Sequence, residues 1–372
     1  MIKRFSLISL IIFYFLFPFN VLAQSSNLET IQTKARVIKI LEERSLLREN
    51  NSQSIQQDLE LLVLEGNLKG QTFIFRGIGE IDVISGQNYK VGDRVLISIE
   101  KDANGKDLVY VLDYVRDRAL FWLFILFIIV VLVVGKKIGW RSILALVVSF
   151  FLILKVLAPL ILAGYNPIII GPLAALLILV TLVYLTEGFN IKAHISVISI
   201  FFALLAALAL SALFVNFARL SGTSTEETIF LISANIQAIN FQGLLLAAII
   251  IGALGVLDDI VVGQVESVWQ LMLNNPERKK SEIFKSAMSI GRAHLGAIIN
   301  TLFLAYVGAS LPLVLLFSIR SEPFLSWSQV LNHEIIATEI VRTLVGVVAL
   351  CLAMPIATFL AVLILDKKIK LN

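Results

Sequence analysis

The stretch Gly243-Leu-Leu-Leu-Ala-Ala-Ile-Ile-Ile-Gly252-Ala-Leu-Gly255-Val-Leu-Asp258-Asp259-Ile-Val-Val-Gly263-Gln-Val-Glu266 decides what kind of protein this is. It begins as an unbroken apolar run and then places two adjacent aspartates inside it. Carboxylates in an apolar helix are expensive, and by default they mark function. At about 100° per residue, Gly252, Gly255, Asp259, Gly263, Glu266 and Gln270 share roughly one 60° stripe, with Asp258 on its flank. Two readings fit this pattern. One is a close helix–helix seam built on Gly252, Gly255 and Gly263, with the acids in the headgroup layer. The other is an acidic lining of a pathway or pocket.

The rest of the chain agrees that this is a membrane protein. Only 16% of its 372 residues are charged and 58% are hydrophobic, whereas soluble domains average about a quarter charged. The net charge of +4 is better explained by basic cytoplasmic loops than by nucleic acid, because no Arg/Lys run interleaves with aromatics on a soluble face. The single cysteine, Cys351, lies in an apolar run, and the three histidines, His194, His294 and His333, are far apart. Neither pattern has zinc-ligand spacing, and no cofactor is expected.

Residues 1–23 read as a secretory signal. Lys3 and Arg4 precede the apolar run Phe5–Phe19, and small residues lead to a cut at Ala23/Gln24. Residues 24–117 are polar, with five strand-like runs at Ala35–Leu41, Leu59–Glu65, Thr72–Arg76, Arg94–Glu100 and Leu108–Val115, separated by glycine- and asparagine-bearing turns such as Lys69-Gly70 and Ser85-Gly86. Five short strands in so short a segment suggest a small OB-like β-barrel outside the cell membrane. It shows no aromatic platform for nucleic acid, with Phe73, Phe75 and Tyr89 placed as core or edge residues, so a structural or envelope-partner docking role is favoured.

Residues 118–372 then carry about seven transmembrane helices, with spans near Ala119–Val134, Ser142–Leu162, Ile168–Thr186, Ile195–Phe217, Gln242–Gly263, Leu295–Phe317 and Ile340–Leu365. Each is close to the roughly 20 residues that cross hydrocarbon, and without water to satisfy the backbone each must be a helix. Lysine and arginine set the orientation. Lys136, Lys137, Arg141, Lys192, Arg278, Lys279, Lys280, Lys285, Arg292, Lys367, Lys368 and Lys370 fall on one side, and the loops of the other side hold only Arg219 and Arg320. With the signal, this gives an extracytoplasmic N-terminal domain and a cytoplasmic C-terminus in a bacterial cell membrane. The fold expected is therefore an α-helical polytopic membrane protein with an N-terminal extracytoplasmic β domain.

The membrane half resembles the YibE/F family of bacterial multi-pass proteins. The resemblance is carried by Gly252-Ala-Leu-Gly255-Val-Leu-Asp258-Asp259, by Ser289-Ile-Gly291-Arg292-Ala-His-Leu-Gly296 leading to Asn300-Thr301 and Tyr306-Val-Gly308, and by Asn332-His-Glu334 with Thr338-Glu339-Ile-Val-Arg342. A signal-led polar domain before the spans is likewise a feature of that family. Its members usually carry one aspartate near Asp258 and a small or apolar residue at 259, which leaves open whether Asp258 or Asp259 is the working acid. The resemblance implies a fold and a membrane location, and no activity.

Several polar groups in the helices ask for partners. Arg292 opens the sixth span, with Gly296 and Asn300 on following turns, and it is expected to pair with Asp258 or Glu266 across antiparallel helices, unless it is only a positive-inside anchor. Glu334, Glu339 and Arg342 approach the seventh span from outside, as an outer gate or as a local ion pair at a helix start. Lys155 is read as snorkelling, Ala203, Ala207 and Ser211 as a packing stripe, and Pro172, Pro312 and Pro355 as breaks or kinks. No phosphate loop, nucleophile elbow or two-helix aspartate dyad is present, so an enzyme is not expected. A small-solute or ion permease with the acids of the fifth span at its inner end is the leading expectation. A non-transporting scaffold or sensor is the alternative, and the lack of an inverted repeat favours it. Lipid is the certain partner class; a homo-oligomer is compatible with the sequence.

Overall fold

The computed structural model describes residues 31–47, 53–78, 88–101, 105–234, 239–319 and 325–369. The signal segment, the Ser85-Gly86 turn, Arg320 and Lys370 lie outside the described residues. The chain divides into two compact units, Met1–Leu126 and Phe127–Asn372.

In the first unit all five expected strands form: β1 (Ile31–Leu47), β2 (Gln53–Val63), β3 (Thr72–Arg76), β4 (Arg94–Lys101) and β5 (Asp107–Tyr114). They make one antiparallel sheet in the order β3-β2-β1-β4-β5. Alternate residues point to one face, so Ala35 and Val37, Leu59, Leu61 and Val63, and Val95, Ile97 and Ile99 stack into the core. The sheet curls because β1 carries register shifts between Val37 and Lys39 and between Ile40 and Glu42, and bulges increase local twist. Its edges, β3 and β5, face each other across a groove of about 400 Å³ lined by Phe73, Arg76, Lys106 and Tyr110 without pairing. The unit is thus a half-barrel, open along one seam. Gln57 replaces a missing strand partner: its amide accepts from Tyr89 N at 2.8 Å and donates to Tyr89 O at 3.1 Å. The Tyr89 ring is buried against Tyr114 at 5.0 Å between centroids.

The second unit is helical. The helices are α1 (Asp117–Leu152), a π turn (Ile153–Leu157), α2 (Ala158–Leu162), α3 (Pro167–Thr186), α4 (Ile191–Phe217), α5 (Glu226–Ser233), α6 (Phe241–Asn274), α7 (Lys280–Ala309), α8 (Leu311–Ile319), α9 (Trp327–Asn332) and α10 (Glu334–Ile369). Six helical stretches among the described residues are long and apolar enough to cross a membrane. The first of them, Asp117–Leu162, has 46 residues, or about 69 Å at 1.5 Å per residue, more than twice a bilayer core. It is interrupted at Lys136 (φ 48°, ψ −123°). A Cβ at Gly139 would run into the Val131 carbonyl, and would lie 3.3 Å from Val131 Cγ1, so the chain doubles back there. The stretches 117–135 and 137–162 are therefore two legs of a hairpin, and the expected seven spans emerge. Pro312 coincides with the break between α7 and α8, whereas Pro172 and Pro355 lie inside continuous helices.

The core sits around α6, which packs against α3, α4, α7 and α10, and α10 packs in turn on α4 and α7. Leu179, Ile195, Ile250, Leu257, Ile260 and Leu350 are fully buried. Ala203, Ala207 and Ser211 of α4 are also fully buried, as a packing stripe requires. Gly171 of α3 brings two helices close, since its absent Cβ would overlap the Cβ of Ala247 and come to 2.9 Å from its Cα. Contacts establish which helix ends lie together. At one end, Gln242 of α6 reaches Leu220 O after α4, and Glu334 of α10 reaches the same loop. At the other, Lys192 of α4 meets Glu266 of α6, and Arg141 meets Thr186 O. Every positively charged loop residue in these contacts lies at the second end.

Gly171→Ala is expected to destabilise the bundle by about 1–3 kcal/mol through overpacking, and Ala247→Gly to restore most of that loss; thermal unfolding of single and double variants in detergent checks it. Burial holds the Tyr89 hydroxyl well above its ordinary value, at about 12. A tyrosine whose folded pKa exceeds the unfolded one, about 10, keeps its stabilisation below pH 10 and loses it as pH rises toward 12. The tyrosinate absorbance of the full chain should therefore contain a late step that Tyr89→Phe removes.

Candidate functional site

α6 begins at an Asn240 cap, whose side chain accepts from Gly243 N at 2.9 Å, and runs without a break through both aspartates to Asn274. The aspartates separate because successive residues on a helix point about 100° apart. Asp259 is exposed on the side of α7, within electrostatic reach of His294. Asp258 turns the other way, toward the end of α3 and the second leg of the α1 hairpin. It lines a cavity of about 360 Å³ with Phe127, Val131, Leu146, Ser142, Ser149 and Thr186 among its neighbours. One oxygen of Asp258, Oδ1, is buried and has no hydrogen-bond partner among the described residues. The hydroxyl of Ser149, a residue only 9% exposed, is in the same state in the same cavity. The carboxylates of Asp259 and Glu187 act on Asp258 from nearby.

Glu266 lies two turns further along α6. Its carboxylate receives Lys192 Nζ at 2.6 Å and Gln270 Nε2 at 2.7 Å, and Lys192 also sits 5.7 Å from the centroid of Trp269. Between the acids, the buried Gln264 donates to Ala287 O of α7 at 2.9 Å and to Thr358 Oγ1 of α10 at 2.8 Å. Thr358 donates its own hydroxyl to Met354 O at 2.8 Å, next to Pro355.

The expected pairing of Arg292 with Asp258 or Glu266 is corrected here. Gly291 is the residue of α7 that faces inward, so closely that a Cβ would lie 2.6 Å from Gln264 Oε1 and from Met354 Sδ. Arg292 is therefore rotated about 100° out of the seam. It is exposed and makes no ion pair among the described residues. Glu266 takes its cation from α4 instead. Asn300, two turns beyond Arg292, is exposed as well. The close glycine seam is also corrected. A Cβ would meet nothing within 4 Å at Gly255, only His294 Cε1 at 3.9 Å at Gly263, and only Tyr306 Oη at 3.5 Å at Gly252. These three positions leave room; Gly171, Gly243 and Gly291 are the ones that bring helices together.

At the opposite end, Glu334 does not join Glu339 and Arg342. Its Oε1 accepts from Ser221 N at 2.6 Å, Ser221 Oγ at 2.7 Å and Gly222 N at 3.0 Å. Gly222 has a left-handed φ of 75°, and a Cβ there would lie 2.5 Å from Phe241 O. Glu339 and Arg342 pair within one helical turn at 2.9 Å, beside Tyr306 and an apolar cavity of about 250 Å³ that also involves Phe303, Phe317 and Ile336. The first acid is a loop anchor and the other two form a local ion pair.

The polar residues that complete the cavity, Ser142, Ser149 and Thr186, were not legible as a set. Ser142 and Ser149 are seven apart and so share a helix face, but small hydroxyls in a span are ordinarily satisfied by their own helix and give no signal. Among the described residues, no group of three His, Cys, Asp or Glu side chains is placed to hold a metal ion.

Residues 123–367 match the model of the YibE/F-like proteins, and residues 28–114 match that of the YibE/F family N-terminal domain. No curated protein and no solved structure matches the chain. With both halves matched over nearly the whole length, and with the half-barrel followed by the apolar helices that the resemblance implied, the chain belongs to the YibE/F family.

Proposed function

We propose that this membrane protein is a small-solute or ion permease whose pathway passes Asp258. The observation that carries the reading is Asp258, which lines a cavity between membrane helices and whose buried Oδ1 has no donor among the described residues. A carboxylate in such a place must be met by a proton, a cation or a polar solute, because an undonated anion in apolar surroundings costs several kcal/mol. Groups of this kind in membrane helices line substrate and proton paths. Binding or proton exchange at Asp258 would then be the coupling step. The basic loops gathered at the same end support an orientation with this end in the cytoplasm, the β domain outside, and the protein in the bacterial cell membrane.

The half-barrel supports a second reading, a scaffold or sensor that binds an envelope partner, because the groove between β3 and β5 leaves two strand edges unpaired. The two readings separate in one experiment. The full chain is reconstituted in proteoliposomes, and charge movement is recorded with a panel of amines, carboxylates and monovalent cations. The permease reading expects a solute-dependent current that Asp258→Asn lowers at least about tenfold, the loss expected when a buried charged hydrogen bond is removed, while deletion of residues 31–114 leaves it. A current unaffected by Asp258→Asn removes the coupling role, and no current with any solute favours the scaffold.

A further inference from the structure

The wall of the Asp258 cavity is specific about what it would accept. Its polar atoms are one carboxylate and the hydroxyls of Ser142, Ser149 and Thr186, and everything else is apolar: Phe127, Val131, Ile143, Ala145, Leu146 and Leu182. No lysine, arginine or histidine lines it. Arg141, whose guanidinium donates to the Thr186 carbonyl at 3.4 Å, is not part of the wall. Glu187 and Asp259 add negative potential from outside. An anion would therefore find no cation in the wall and a carboxylate already there.

A bare inorganic cation fits poorly too, since hard cations ask for about six oxygen ligands and most of this wall is hydrocarbon. Two polar atoms already wait without partners, Asp258 Oδ1 and Ser149 Oγ. The first can only accept as an anion, and the second can accept as well as donate. A ligand that donates two hydrogen bonds and carries a positive charge satisfies both, while an aliphatic or aromatic body of modest size fills the remainder. At about 360 Å³ the cavity is at the small end of ligand pockets, and its wall includes Phe127, an aromatic residue of the type that attracts cations.

We propose that the cavity between the α1 hairpin, α3 and α6 is a binding site for small organic ammonium ions, with the ammonium on Asp258 and Ser149 and the apolar body against Phe127, Val131, Leu146 and Leu182. This deepens the permease reading by naming its substrate class, and it rests on Asp258 being the working acid of that reading. It also assigns the two aspartates different work. Asp258 contacts the ligand, and Asp259, exposed on the far flank of the same helix, does not.

The test uses the full chain in nanodiscs and isothermal titration with phenethylammonium chloride, with 2-phenylethanol and phenylacetate as the neutral and anionic analogues. Saturable one-site binding of the ammonium is expected, weakened at least about tenfold by Asp258→Asn and a few-fold by Ser149→Ala. Leu146→Trp, which fills the cavity, should abolish it, and Asp259→Asn, which removes only an outlying negative charge, should weaken it less than Asp258→Asn does. Thermal unfolding of each variant verifies that it is folded. If Asp258→Asn does not fold, Ser149→Ala and Leu146→Trp decide alone. Equal affinity for 2-phenylethanol, equal displacement by sodium chloride at matched ionic strength, or indifference to Leu146→Trp overturns the proposal. Binding without any current in proteoliposomes upholds the site and removes the permease. A solute current that survives Asp258→Asn and Leu146→Trp keeps the permease and removes this site.

Discussion

The membrane unit depends on the side chain of Gln264. It is 3% exposed, yet its amide ties three helices, donating to the Ala287 carbonyl of α7 and the Thr358 hydroxyl of α10 from a position in the middle of α6. In a medium without water an unmet amide costs more than the bond it makes, so this knot fixes how α7 and α10 can lie on α6. Gly291 follows from it, because only a residue without Cβ lets α7 approach the knot. The outward rotation of Arg292 follows from Gly291. One buried amide thus decides which residues of the conspicuous Ser289–Gly296 segment face the bundle and which face away.

Around this knot the polar groups separate into those that are satisfied and those that are not. Glu266 has Lys192 and Gln270, Glu334 has three donors from one loop, and Glu339 has Arg342. These acids carry the architecture and leave little unused bonding capacity. Asp258 stands apart as the carboxylate whose buried oxygen has no donor among the described residues, while the hydroxyls of Ser149, Ser211 and Thr338 and the Arg342 Nε are buried without partners as well. A fold that elsewhere meets its carboxylates so fully gives weight to the exception, and the exception lies where the α1 hairpin leaves a cavity beside α3 and α6.

Much of this was legible in the sequence, for physical reasons that also mark where legibility ends. The five strands follow from alternation at Val95, Ile97 and Ile99 and its equivalents, and the spans follow from length and the cost of exposing backbone to lipid. β1 and β2 extend further than alternation suggested, through Glu42, Glu43, Arg44, Gln56 and Gln57, because the ladder continues there between polar side chains, of which Gln56 and Gln57 are themselves buried. The stripe of Gly252, Gly255 and Asp259 was correct as helical geometry and misleading as packing. Periodicity says which residues share a face and not which helix comes to it. The partner of Glu266 is a lysine 74 positions away, and no pattern along the chain distinguishes it from Arg292. The hairpin turn at Lys136 was legible only as a gap between two apolar runs; its left-handed backbone was not.

The two tethers of α10 have a mechanical consequence. Glu334 holds its first turn to the Ser221-Gly222 loop, and Thr358, 24 residues on, holds its inner half to Gln264. At 1.5 Å per residue these fixings are about 36 Å apart. A tilt of about 5° around the outer one would carry Thr358 about 3 Å, more than a hydrogen bond of 2.8 Å tolerates. α6 and α10 therefore swing as a single strut or not at all. The hairpin that turns at Lys136 is tied differently: Arg141 of its second leg donates to the Thr186 carbonyl at the end of α3, and that leg forms one wall of the Asp258 cavity.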